Sequence, residues 1–182
     1  MSLTSRLRQH IGRLCGAACA LLAPWAPAHA VNELDVKAAI IVNLLAFADW
    51  PAQAAPPANS ALVLCVGAQH PLRAPLATLS GRVVRQWVLQ VRELTHSEAT
   101  AQCHALLLDD DLLAARPALK RELTTLPVLS FADARQAPDS AVCIRLDVVN
   151  GRVTFSVDLV TARANGLTLS SRLLRLAREV RE

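Results

Sequence analysis

The chain has 182 residues, with nineteen Lys and Arg against fifteen Asp and Glu, an apolar fraction of 53% and no tyrosine. Arg6, Arg8 and Arg13 precede an apolar stretch from Leu14 to Leu22 and then Ala28-His29-Ala30, the layout of a secretory leader; cleavage after Ala30 removes three of the nineteen basic residues and no acidic one, leaving a formal charge of +1. A nearly neutral domain with few aromatic residues has neither the persistent basic patch nor the stacking rings that nucleic-acid partners require, so that class is set aside.

The apolar part of the leader runs for about ten residues before Pro24, against the ~20 a spanning helix needs, and no later stretch comes closer. The exported chain is therefore expected not to span a membrane. Residues 31–182 are enough for one domain with one core, and no internal repeat suggests a second. Cys15 and Cys19 leave with the leader, Cys15 lying too far from the cleavage point to carry a lipid. Cys65, Cys103 and Cys143 reach a compartment in which disulfides persist.

Residues 33–49 place Leu34, Ala38, Ile41, Leu45 and Ala48 at steps of three and four, which predicts an amphipathic helix supported by a Glu33–Lys37 pair. Pro51 ends it at Trp50, and Pro56-Pro57 forces an extended linker. Continuous apolar runs at residues 61–66, 103–108 and 127–131 suit strands buried on both faces, and 83–91 reads as a longer strand with Trp87, Leu89 and Val91 on one face. Helices are expected around residues 72–79 and 118–126. Val142, Ile144, Leu146 and Val148 then alternate with polar residues, as do Val153, Phe155, Val157 and Leu159 after Asn150-Gly151, predicting a hairpin with one buried face. A helix over 171–180, capped by Ser170 or Ser171 and burying Leu173, Leu174 and Ala177, closes the chain. The sum is a single α/β domain: a mixed, largely parallel sheet covered by helices on both faces, with an antiparallel C-terminal hairpin and a closing helix.

One ordered set of blocks carries a resemblance: Lys37-Ala38-Ala39, Asn43, Phe47, Trp50-Pro51, Leu64-Cys65-Val66-Gly67, Cys103-His104, Val128-Leu129-Ser130, Gly151-Arg152-Val153 with Phe155, and Gly166-Leu167 through Ser170-Ser171 to Leu174. In order and spacing they resemble the YfiR-like family over nearly the whole of residues 31–182. The resemblance implies a periplasmic α/β protein that restrains an inner-membrane diguanylate cyclase, and so cyclic-di-GMP output, by binding its periplasmic sensor region. A sensor kinase or outer-membrane protein is the other kind of partner it implies. Lys37, Gly67, His104, Gly166, Ser170 and Ser171 fall on the family pattern. Val42 and Leu44 stand where relatives often have aromatics, Asp139-Ser140-Ala141 replaces a Gly-Gly pair, and Asp158 replaces Asn; these departures are expected on helix and loop surfaces, where partner choice is written.

Cys65 and Cys103 match positions that are bridged in some relatives, and a bridge there would contribute roughly 3 to 4 kcal/mol by closing a long loop. If the two strands were simple parallel neighbours, however, the cysteines would sit at different heights, so two buried thiols remain the alternative. Cys143 has no obvious partner and is either a buried thiol or an intermolecular link. Cys103-His104, with only His70 and His96 elsewhere in residues 31–182, lacks metal-ligand spacing, and adjacent strand residues face opposite ways, so neither a metal nor a cofactor is expected. Asp109-Asp110-Asp111 reads as a helix N-cap, the other role being a Mg²⁺ site without its phosphate half.

With no nucleophile elbow, glycine fingerprint or phosphate loop, the sequence points away from an enzyme. Asn43, Phe47, Trp50 and Pro51 are the candidate partner-binding residues, Trp50 being either an exposed anchor or a plug under the loop. An exposed hairpin edge would also permit a homodimer. The alternative function is a small-molecule sensor binding at the carboxyl end of the sheet near Gly67 and Asp109.

Overall fold

The computed structural model describes residues 32–95, 99–134 and 141–182. The expected leader, His96 and Asp139-Ser140 lie outside them. The first helix, α1 (Glu33–Leu45), starts where Asn32 Oδ1 accepts the Leu34 N–H at 3.1 Å, with Glu33 and Asp35 in its first turn. A short strand β1 (Ala48–Asp49) follows, then β2 (Ala61–Gly67), α2 (Arg73–Ala77), β3 (Val83–Val84), β4 (Trp87–Leu94) and a 3₁₀ turn (Thr100–Gln102). After these come β5 (Ala105–Leu108), α3 (Asp110–Ala115), α4 (Leu119–Glu122), β6 (Leu129–Asp133), β7 (Ile144–Val149) and β8 (Arg152–Asp158). The chain ends through α5 (Leu159–Ala164), β9 (Thr168–Leu169), α6 (Ser171–Leu176) and β10 (Glu179–Arg181).

Eight strands form one sheet in the order β10-β8-β7-β6-β5-β2-β4-β3, while β1 and β9 pair separately and antiparallel. The five central strands from β7 to β4 run parallel. Their continuous apolar runs have a direct cause: both faces are covered. Leu62, Leu64 and Val66 of β2 enter a core shared with α1, α2, α5 and α6, while Val63 and Cys65 enter a second core with Leu112 of α3 and Leu119 of α4. Each such side chain, fully buried, stabilises the fold by roughly 1.5–3 kcal/mol. At the β7–β8 hairpin only one face is covered, and Ile144, Leu146, Phe155 and Val157 are buried while Arg145, Asp147 and Ser156 are half-exposed. The turn residues Asn150 and Gly151 both have positive φ, 52° and 72°, as the Asn-Gly signal requires.

Four expectations are corrected. The first helix, expected over 33–49, ends at Leu45, and Ala48 and Asp49 form β1 against β9. The strand over 83–91 is two antiparallel strands, because Arg85 takes φ 56° and turns the chain between Val84 and Trp87; the burial of Trp87 and Leu89 on one face is retained. The closing helix stops at Leu176: Ala177 is extended and the Arg178 N–H donates to Phe155 O, so residues 179–181 pair parallel with β8 as β10. As a result the outer edge of the hairpin, expected to be open to a second copy, is covered by the chain's own C-terminal strand, whose Glu179 and Arg181 are exposed.

Candidate functional site

Along α1 the sequence divides the helix surface. Ala38, Ile41, Val42, Leu44 and Leu45 pack into the core, and so does Lys37, which is only 2% exposed. Its ammonium lies between Asp133 at the carboxyl end of β6 and Glu33, the latter at 2.7 Å. Burial pulls the Lys37 pKa down, but hydrogen bonds to Asp133 and Glu33 outweigh it and hold it above the ordinary lysine value. The Glu33 partner follows from helix spacing; Asp133 is nearly a hundred residues away and has no local signal. Val42 and Leu44 are 3% and 4% exposed, so these departures from the family pattern are packed into the core and not on an exposed helix surface.

Beyond α1, Trp50 is a plug under the loop. Its ring is 7% exposed, stacks edge-on against Trp87 at 5.9 Å, and donates from Nε1 to the backbone O of His104 at 2.9 Å. The His104 carbonyl also accepts from Leu129 N, its own N–H donates to Val63 O, and its Nδ1 accepts the Val63 N–H at 3.0 Å. A proton on Nδ1 would cancel that last bond, and burial lowers the His104 pKa, which keeps the ring neutral. Next to it, Cys65 and Cys103 are bridged, with Cα atoms 5.8 Å apart. The height difference expected for two strands does not arise, because Cys103 leaves the 3₁₀ turn two residues before β5 begins. Cys143 is a free, fully buried thiol whose pKa is pushed up by desolvation, so it is not presented for an intermolecular link.

Pro51 is packed against the far end of the chain. A Cβ on Gly166, which has φ 73°, would lie 3.5 Å from Pro51 Cγ. Ser170 Oγ caps α6 by accepting the Leu173 N–H, while Ser171 is its exposed first residue. Asp109 Oδ1 caps α3 at Leu112 N, 2.6 Å away, and Gly67 leaves room for that carboxylate, since a Cβ there would stand 3.1 Å from Asp109 Oδ2. A cavity of about 290 Å³ opens here, its charged walls all acidic: Glu93, Asp109 and Asp111. His70, behind it, is buried with Nδ1 accepting from Leu72 N; desolvation lowers its pKa. Among the described residues no group of three or more His, Cys, Asp or Glu could hold a metal ion.

On the other side of α1 lies a half-open groove of about 780 Å³ between α1, β3 and β8. Two of the predicted partner-binding residues, Asn43 and Phe47, line it, whereas Trp50 and Pro51 do not. Ile40, Val153 and Phe155 form its floor, Val83 and Leu176 its lips. Arg82, Arg85 and Arg178 supply its charge, and Arg172 sits 5.8 Å over the Phe47 ring. Sequence reasoning missed these arginines and Val83 because they come from two segments nearly ninety residues apart in the chain, 82–85 and 172–178; the turn at Arg85 is the local feature that brings two of them to the rim.

The profile of the YfiR/HmsC-like family matches residues 34–178. No curated protein matches the chain. Among solved structures, a conserved domain protein from Vibrio cholerae O1 biovar El Tor str. N16961 superposes with a TM-score of 0.46 at 10% identity, over 82% of this chain. The chain spans about 60% of that structure's length.

Proposed function

Because the chain belongs to the YfiR/HmsC-like family, a family of periplasmic regulators, we propose that it binds the periplasmic sensor region of an inner-membrane diguanylate cyclase or sensor kinase and holds it in its inactive conformation. No helix among the described residues is long and apolar enough to cross a membrane. The observation that carries the reading is the groove beside α1: it gathers Asn43, Phe47 and exposed apolar lips on one concave face, the kind of surface that anchors a partner. Inhibition requires only that the bound conformation of the sensor be the inactive one, since a ligand shifts an equilibrium by its differential affinity. The test is calorimetric titration of the purified chain with the sensor region of the cyclase or kinase encoded beside it. Binding that is lost in Asn43→Arg supports the reading; no binding to the wild-type chain overturns it.

A second reading, a periplasmic small-molecule sensor, is favoured by the acidic cavity at Gly67 and Asp109, where the carboxyl ends of β2 and β5 meet as in other open α/β sheets. A screen of small cationic compounds by thermal shift tests it, and a flat screen removes it.

A further inference from the structure

We propose that the groove between α1, β3 and β8 binds a single-chain anionic amphiphile of the fatty-acid type, its tail on the apolar floor and its carboxylate on Arg82. The proposal goes beyond partner binding: it uses the same face of α1, but a ligand of this class would bind whether or not a sensor region does.

Size comes first. At about 780 Å³ the groove falls within the ~300–1,000 Å³ typical of small-molecule sites, and it is concave, so a bilayer surface cannot reach its floor. The floor is apolar and drawn from separate elements, Ile40 and Leu44 from α1 and Val153 and Phe155 from β8. Its two lips, Val83 and Leu176, are 73% and 63% exposed. They are the two most exposed of the four large apolar side chains that lie exposed among the described residues, and both border one groove. A fold that buries its apolar residues elsewhere leaves this surface wet, where an alkyl chain would release the water.

Charge selects the sign of the head group. The described lining carries three arginines and no carboxylate. Arg85 is engaged with Asp49 at 2.6 Å and Arg178 lies 3.7 Å from Asp147. The Arg82 guanidinium makes no hydrogen bond or ion pair among the described residues, and it stands next to the Val83 lip. A planar guanidinium takes a carboxylate through two parallel hydrogen bonds, which a cationic or neutral head cannot supply. Apolar floor and unpaired guanidinium together define an amphiphile with its anionic end at the β3 rim.

The experiment titrates the purified, delipidated full chain with laurate, decanoate and dodecyltrimethylammonium, each below its micellar concentration, and separately with vesicles of anionic phospholipid. Laurate is expected to bind one to one, decanoate about tenfold more weakly for the two methylenes lost, and the cationic amphiphile not measurably. Arg82→Glu is expected to weaken laurate at least about tenfold with an unchanged Tm, since Arg82 is exposed. Val83→Asp, also exposed, gives the same loss by removing an apolar lip and setting a competing carboxylate beside Arg82. Equal binding of laurate and the cation, full binding by Arg82→Glu, or binding to vesicles alone overturns the proposal. Binding of the sensor region with no binding of laurate also overturns it and leaves the regulatory reading standing; laurate binding without sensor binding does the reverse.

Discussion

The two sides of α1 treat polar and apolar groups in opposite ways. Toward the sheet, three strong polar groups have found partners within the chain: the Lys37 ammonium lies between two carboxylates, the Trp50 indole donates to a carbonyl, and His104 bonds through ring and backbone. Toward the groove, Arg82 is unpaired among the described residues and Val83 and Leu176 are in water. Satisfied internally, a group contributes to stability; left incomplete, it costs solvation only until something else completes it. The difference separates residues that make the fold from residues free to serve a partner, although the family pattern runs through both.

Substitutions on the sheet side sharpen this contrast most. Lys37→Ala removes the buried ammonium from beside the largely buried Asp133 carboxylate and is expected to cost about 3–5 kcal/mol in urea unfolding. Little of that comes from Glu33, whose side chain is 43% exposed. Replacing Cys65 and Cys103 together by Ala opens a loop with a sequence separation of 38, at an expected cost of roughly 3–4 kcal/mol. The wild-type protein under reducing conditions should unfold at the same urea concentration as the double variant, and a difference between the two would mean that the alanines themselves disturb the second core. Trp50→Phe keeps a ring against Trp87 but leaves the His104 carbonyl with one donor fewer, an expected loss of about 1–3 kcal/mol.

The same contrast explains what could be read from the sequence. Burial on both faces writes itself as unbroken apolar runs, which is why β2, β5 and β6 were legible, and burial on one face writes itself as the alternation of β7 and β8 around Asn150-Gly151. The Asp109 cap was legible for a similar local reason. What escaped depends on distant chain segments or on backbone geometry without a glycine to mark it. Arg85 turns the chain at positive φ, so a hairpin looked like one strand. Residues 179–181 have the composition of a helix end, and only the free edge of β8 makes them a strand. Lys37–Asp133 and the groove unite residues from distant parts of the chain, and of the groove only Asn43 in α1 and Phe47 just after it are picked out as partner-binding residues, through family pattern and not through any chemistry visible in the chain.

Acidity probes the sheet side as a whole. His70 is buried and His104 half-buried, and desolvation is the largest cause of the lowered pKa of each, with Asp109 and Asp133 partly opposing it at His70. The unfolded chain therefore takes up protons near pH 6.5 that the fold refuses, so stability should hold above that value and fall as the pH drops below it. Thermal unfolding between pH 7.5 and 5.5 measures the slope. His104→Asn, which keeps an acceptor for the Val63 N–H, should flatten it, and an unchanged slope would assign the effect to His70 alone.

The smallest expected effect is the most informative about the groove. Val83 is 73% exposed on a two-residue edge strand, and its side chain meets little beyond water. Val83→Asp should therefore change stability by no more than about 0.5 kcal/mol, as surface substitutions away from packed features do. If urea unfolding instead shows a loss of the size expected for Lys37→Ala, the lip is part of the packed structure and the two sides of α1 are not different in kind. A null result on stability, paired with loss of binding in the same variant, separates fold from function at a single side chain.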